Sequence, residues 1–295
     1  MSRYFCLRDD DTSFYTSPKE LIEGYGAFWG SIPITLATVP FVHASSVELS
    51  KLYVPGKNKF ECLRAFEKEA PAAYLNDYHK IHPIGDNREL TDMLKPMVKN
   101  GMVEIALHGV SHKYTESGPE MLSTKMSLEA IRDAKEYLEK VFEVPVQTFI
   151  PPSNTIDVQC VKWINSLGMR LMTSGPVCRN GNYKKMAIDF KTLPNRVFAK
   201  LFSDPWSARP VNHCFGMGIF TSLTYGASSD PDALLAIIKE RLGKYGFGAI
   251  GTHYTCFADT RCRASFWQML DAIKGMEDTV FVTASRYYDL LKEKK

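Results

Sequence analysis

The sequence is short of most features that would assign it to a specialised class. No apolar run is long enough to cross a bilayer, so an integral membrane helix is not expected. No low-complexity tract and no internal repeat is present, which excludes solenoids and fibrous assemblies. Cysteines are few and unpatterned. Cys6, Cys62, Cys160, Cys178, Cys214, Cys256 and Cys262 make an odd seven with no CxxC spacing, so reduced thiols are expected in place of a disulfide framework. An excess of charge is missing too. Thirty-six basic residues against 33 acidic ones leave +3, too little and too evenly spread to predict a nucleic-acid or anionic-membrane partner. The opening "MSRYFCLRDDD" lacks the apolar core and cleavage site of a secretory leader, and with reduced thiols the expected location is cytoplasmic.

Against these absences stand 295 residues, 45% of them hydrophobic, enough to bury a substantial core. Short apolar runs alternate with helical patterns. The runs "YFCLR" (4–8), "ITLATVPF" (34–41), "VEIALHG" (103–109), "VQTFIP" (146–151), "RLMTS" (170–174), "MGIFTSLTY" (217–225), "FGAIGTHY" (247–254) and "TVFVTAS" (279–285) read as strands. Helices are expected at 17–29, 87–100, 127–142, 155–168, 230–246 and 265–276. In the third, Leu128, Ile131, Tyr137, Leu138, Val141 and Phe142 largely repeat at three and four, the spacing of a buried stripe, behind Ser127 as N-cap. The alternation predicts an α/β fold with a mainly parallel sheet. Residues 43–88 and 176–216 are polar or rich in Gly, Pro and Asn, and are expected as irregular insertions on a single domain, 1–295.

Polar residues gather at the C-terminal ends of four expected strands. Asp10 and Asp11 follow the first, in "CLRDDDTSFYTSP"; His108 and His112 the third, in "ALHGVSHKY"; Pro152, Ser153 and Asn154 the fourth, in "FIPPSN"; His253 and Tyr254 end "AIGTHY". In a (β/α) barrel those ends converge on one face, where active sites are built. The His-x-x-x-His spacing places two imidazoles a helical turn apart, and a carboxylate from elsewhere would complete a His2Asp metal site. The same residue types also serve as caps, turns and buried hydrogen-bonded histidines. His43, His79, His82 and His213 lie in the insertions and are expected at the solvent. Trp206 and Tyr254 are candidates for stacking on a sugar ring.

In order along the chain, these segments resemble the motifs of the NodB-like polysaccharide deacetylases, the fourth carbohydrate esterase family. Asp10 and Asp11 match the family's paired aspartates. "HGVSH" is similar to His-Ser/Thr-x-x-His with Gly109 at the hydroxyl position, "IPPS" to Arg-Pro-Pro-Tyr, and "GTH" to Leu-x-His. The resemblance implies a distorted (β/α)7 barrel. It implies one divalent ion, zinc first, with cobalt, nickel or manganese as alternatives, on Asp11, His108 and His112. It implies Asp10 as general base and His253 as general acid in hydrolysis of an N-acyl group, N-acetyl or related. The substrate it implies is an amino sugar or glycan precursor, a small molecule or oligosaccharide, and the candidates to contact it are Pro152, Asn154, Tyr254 and Trp206. Ser153 N–H, the first available after Pro151 and Pro152, would share the oxyanion.

Several positions depart from the pattern. Ile150 stands where the family has the arginine that braces the base, Gly251 where it has a leucine lining the acyl pocket, and Asp204 with Trp206 only partly match its Asp-Trp pair. Strand periodicity puts Arg8 on the same face as Asp10, so Arg8 is expected to supply the missing cation, and Asp9 to point away into a structural role. Two other readings stay open: a non-catalytic carbohydrate-binding protein on the same barrel, and a non-haem Fe(II) oxygenase, which also uses two histidines and a carboxylate.

Overall fold

The computed structural model describes residues 2–52, 54, 56–189 and 209–293. Its centre is β1 (Arg3–Thr12), apolar on both faces over its first half. Phe5 and Leu7 join the core that holds Leu21, Tyr25 and Phe266, whereas Cys6 joins a second core with Ala37, Ala106, Ala249, Phe247 and Tyr287. The remaining strands are β2 (Ile34–Thr38), β3 (Phe41–His43), β4 (Ile81–Pro83), β5 (Val103–Leu107), β6 (Thr148–Phe149), β7 (Ile156–Asp157) and β8 (Arg170–Met172). Beyond them come β9 (Val177–Arg179), β10 (Asn182–Met186), β11 (Val211–Cys214), β12 (Met217–Phe220), β13 (Leu223–Thr224), β14 (Phe247–Thr252) and β15 (Thr279–Val282).

The main sheet runs β11-β12-β8-β6-β5-β2-β1-β14-β13, with β15 also on β1, and only the β11–β12 pair is antiparallel. β12 and β13 are two halves of the run expected as one strand over 217–225. The first half pairs with β8 and the second with β14, so this strand switches partners at Thr221 and Ser222. The result is a distorted barrel, curved but not hydrogen-bonded all the way round.

The helices are α1 (Pro18–Tyr25), α2 (Ala44–Leu52), α3 (Lys59–Glu69), α4 (Ala72–Tyr78), α5 (Arg88–Lys99), α6 (Leu128–Phe142), α7 (Val158–Ser166), α8 (Pro231–Tyr245), α9 (Thr260–Lys274) and α10 (Ala284–Glu293). All six expected helices form. The Ser127 hydroxyl accepts from Ala130 N–H at 3.1 Å to start α6, and Asp230 with Pro231 starts α8, which Gly246 ends at φ 72°. Among the described residues no helix is long and apolar enough to cross a membrane.

Three expectations need correction. Residues 43–88 are not irregular: α2, α3 and α4 pack Leu49, Leu63 and Tyr78 into a small core of their own beside the antiparallel β3–β4 pair. Their apolar residues are too sparse to show a stripe, because each helix buries only one or two. In 176–216, β9 and β10 build a three-stranded sheet with β7, and β11 extends the main sheet, while 190–208 lie outside the described residues. His43 is buried, its Nδ1 2.7 Å from Ser45 Oγ, and burial lowers its pKa to about 4. His79 and His213 are exposed, and His82 stacks on Phe14 with centroids 4.7 Å apart.

Candidate metal centre

The three aspartates end β1, and each goes to a different place. Asp9 leaves the sheet outward and accepts from the Tyr25 hydroxyl of α1. Burial, despite that bond, holds its carboxyl well above the usual range, which fits a structural role. Asp10 points inward with Arg8, as strand alternation predicts, and its Oδ2 lies 3.2 Å from Arg8 Nη2, both side chains almost fully buried. Asp10 Oδ1 is buried with no hydrogen-bond partner among the described residues. Asp11 does not follow the alternation. The β1–β2 register shifts between Asp9 and Thr12, and Asp11 takes φ 74°, a left-handed conformation that aspartate tolerates better than most residues. That bulge swings its carboxylate out of the strand and over the sheet ends.

Two imidazoles meet it there. Asp11 Oδ1 lies 3.1 Å from His108 Nε2 and 3.0 Å from His112 Nε2. The spacing suggested a helical turn, but "HGVSH" is a loop in which Gly109 and His112 both have positive φ. Side-chain convergence comes instead from Glu120. Its buried carboxylate accepts from Val110 N–H at 2.7 Å, Ser111 N–H at 2.9 Å and the Ser111 hydroxyl at 2.8 Å, clamping the loop from within. His108 Nδ1 sits 2.8 Å from the Ile150 carbonyl, which can only accept. Nδ1 therefore carries a proton, which fixes the ring with Nε2 toward Asp11.

This donor set suits a divalent ion. One carboxylate oxygen and two imidazole nitrogens lie within 4.8 Å of one another. Ligands about 2.0–2.1 Å from a tetrahedral zinc would be about 3.3 Å apart, close to the contacts seen here. Burial pushes the Asp11 carboxyl up, but the imidazoles of His112 and His253 outweigh it and hold it well below the usual carboxylate range. His253, just after β14, places Nε2 3.4 Å from Asp11 Oδ2. A cavity of about 530 Å³ opens beside the cluster, lined by Asp11, His112, Val39, Val42, Lys51 and Tyr254 among others.

The polysaccharide deacetylase family matches residues 68–172, the stretch that carries both histidine ligands and the Pro-Pro turn. The match spans about a third of the chain, and over it the sequence is similar to the polysaccharide deacetylases. No curated protein matches the sequence. Among solved structures the likeness is one of fold. A 4-α-glucanotransferase from Thermococcus litoralis superposes with a TM-score of 0.50 at 11% identity over 98% of this chain and 40% of that one. A family 4 acetyl xylan esterase from Clostridium thermocellum, in complex with a cobalt ion, gives 0.49 at 11% identity, covering 98% and 91%. A family 4 pseudoenzyme from Bacillus anthracis gives 0.44 at 12%, covering 97% and 65%.

The departures from the superfamily's motifs have physical reasons in this fold. Gly109 is required because a Cβ there would lie 2.0 Å from Glu120 Oε1, at φ 67°, so the clamp occupies the room of the hydroxyl residue. Ile150 keeps its carbonyl on His108 and sinks its side chain into the inner core. Gly251 faces Arg8: a Cβ would stand 2.3 Å from Arg8 Nε, so a leucine at 251 and the inward Arg8 exclude each other. Asn154 holds Arg8 in place, its Oδ1 accepting from Nη2 at 2.8 Å and from Ser174 N–H at 3.1 Å. Its amide oxygen is thus engaged by the brace. Pro152 is buried against Gly109, so it shapes the metal loop, and Tyr254 borders the cavity while most of its ring is in the core. Ser153 is exposed, with φ 53°. Trp206 and Asp204 lie outside the described residues.

Two residues near the site carry no sequence signal. Glu120 sits in the irregular "TESGPEML", and Lys59 in the insertion reaches Ser153 Oγ at 3.2 Å. Neither has a spacing relation to a motif, and only the folded chain brings them there.

Proposed function

We propose that the protein is a metal-dependent hydrolase that removes an N-acyl group, N-acetyl or related, from an amino sugar or a soluble glycan precursor in the cytoplasm. The observation that carries this reading is the convergence of His108 and His112 on Asp11 beside the buried Arg8–Asp10 pair and His253. The seven free thiols support the cytoplasmic setting. A divalent ion bound to Asp11, His108 and His112, zinc by its donor set with cobalt, nickel or manganese as alternatives, would polarise the acyl carbonyl and make a bound water more acidic.

The chain's own residues account for the proton traffic. Arg8 holds Asp10 by Oδ2, leaving Oδ1 to take a proton from the water that attacks the acyl carbon. His253, protonated, gives a proton to the sugar nitrogen as the C–N bond breaks, leaving a free acid and a free amine. Incubating the metal-loaded protein with N-acetylated and N-formylated sugars, nucleotide sugars and oligosaccharides should release the acid from at least one. Asp10→Asn and His253→Ala should keep the metal while kcat falls on the order of a hundredfold or more. Turnover like wild type in either variant would remove that residue from the mechanism. Oxygen uptake with Fe(II) and a 2-oxo acid, without acid release, would replace the reading with an oxygenase.

A further inference from the structure

The cavity of about 530 Å³ that opens from Asp11 and His112 is far larger than an acetyl group requires. A methyl takes about the room of one water molecule, roughly 30 Å³, so most of the space would stay unfilled. Its inner surface is aliphatic. Val39 follows β2 and donates its N–H to the Thr12 carbonyl at 2.8 Å, which seats it beside the bulge that redirects Asp11. Val42 lies in the middle of β3, between Phe41 and His43, whose N–H groups bond the Val110 and Ser111 carbonyls of the metal loop at 3.1 and 2.9 Å. Both valines are buried, and the cavity wall is continued by Val47 of α2 and by Tyr254. The aliphatic surface is therefore continuous with two of the three metal ligands.

Polar side chains along this wall are already engaged or lie at the mouth. The Ser46 hydroxyl donates to the His43 carbonyl at 2.8 Å, and Lys51 Nζ pairs with Glu48 at 3.0 Å. Tyr15, Glu20 and Thr255 are exposed. A sugar ring pushed against the valines would leave its hydroxyls without partners, whereas an alkyl chain gains from leaving water there. An acyl carbonyl at the metal centre has two substituents, the nitrogen and the acyl chain. The nitrogen belongs beside its proton donor His253, which is not part of the cavity lining. That leaves the cavity to the acyl chain.

We infer that this cavity is an acyl-chain site, and that the group removed is a linear aliphatic acyl chain longer than acetyl, with Val39, Val42 and Val47 setting its length. The inference rests on the proposed function for the reaction, but its test has a readout that needs no turnover. Binding of acetohydroxamate, butanohydroxamate, hexanohydroxamate and octanohydroxamate to the zinc-loaded protein is measured by calorimetry. Acid release from N-acetyl-, N-butanoyl- and N-hexanoylglucosamine is followed in parallel. Affinity for the hydroxamates should rise about threefold to fourfold for each methylene added between acetyl and hexanoyl. Val42→Phe fills the cavity from β3 and Val47→Phe from α2, where the side chain is only partly buried. Each should flatten the series while zinc content and acetohydroxamate affinity stay as in the wild type. A series that is flat or falling in the wild type, absence of binding included, overturns the inference, and so does a series undiminished in both variants. Acid release from the acetyl sugar alone, with a flat hydroxamate series, keeps the hydrolase reading and removes the chain site. A rising series without acid release from any of the sugars keeps the chain site and counts against the hydrolase reading.

Discussion

Arg8 is fully buried, a position that costs several kcal/mol for a lone guanidinium and is tolerable only because its charge is answered. Asp10 answers it at 3.2 Å, Asn154 at 2.8 Å and the Met172 carbonyl at 3.4 Å. The space for it exists because position 251 has no side chain. Gly251→Ala should therefore push the guanidinium off Asp10, lowering kcat/KM on the order of tenfold with the metal retained. Since that change acts through Arg8, adding it to Arg8→Met should cost little more than Arg8→Met alone. A double variant whose losses multiply would show that the two positions act separately. Arg8 lies two residues before Asp10 and so could be read from strand periodicity. The vacancy at Gly251 could not, because it depends on the pairing of β1 with β14 that sets Arg8 opposite Gly251.

Two carboxylates outside the metal cluster organise whole segments. Glu120 clamps the loop between the histidines, so Glu120→Gln should lower metal affinity about tenfold to a hundredfold through disordered ligand geometry, measurable by competition with a chromophoric chelator. Unchanged affinity would assign the loop's shape to Gly109 and Pro152 alone. Asp157 joins three pieces of chain: it accepts from Ser123 N–H and the Ser123 hydroxyl at 2.7 Å each, from Cys160 N–H at the start of α7 at 2.9 Å, and from Gly181 N–H at 2.9 Å. Burial pushes its pKa up, but these donors outweigh that and hold it below the usual aspartate range. A carboxylate depressed on folding stabilises above its unfolded pKa, and the contribution is lost as pH falls through the folded one. Asp157→Asn should cost about 2 kcal/mol at pH 7, with the gap to wild type closing only below about pH 4, as followed by urea melts across pH. A gap that persists unchanged to pH 2 would mean that charge is not what the donors recognise.

At the scale of the molecule, the metal centre joins the end of β1 to the loop after β5, across the intervening β2. A ligand that binds only the folded chain stabilises it by about 2.7 kcal/mol at a hundredfold excess over Kd. For a chain of this length that is roughly 5 °C in Tm. Zinc should raise Tm by that order, a chelator should reverse the gain, and His112→Ala should fold yet show no zinc-dependent shift. A zinc-dependent rise of equal size in His112→Ala would place the binding elsewhere.

Local chemistry wrote much of this fold into the sequence. The eight apolar runs and six helical stripes are properties of periodicity, and the polar clusters at strand ends follow once the sheet is parallel, because all those ends then point the same way. Arg8 beside Asp10, and Asp9 turned away, come from the two-residue repeat of a strand. What tertiary structure alone decided are features that need two distant segments at once: the bulge that redirects Asp11, the Glu120 carboxylate filling the space over Gly109, the arginine lying across Gly251, the helices of 43–88 that cohere only around their own small core, and Lys59 delivered to Ser153 from 94 residues away. Periodicity records which face a residue turns to the core. It carries no information about which far segment waits there, and that is set by packing and by the hydrogen-bond demands of buried polar groups.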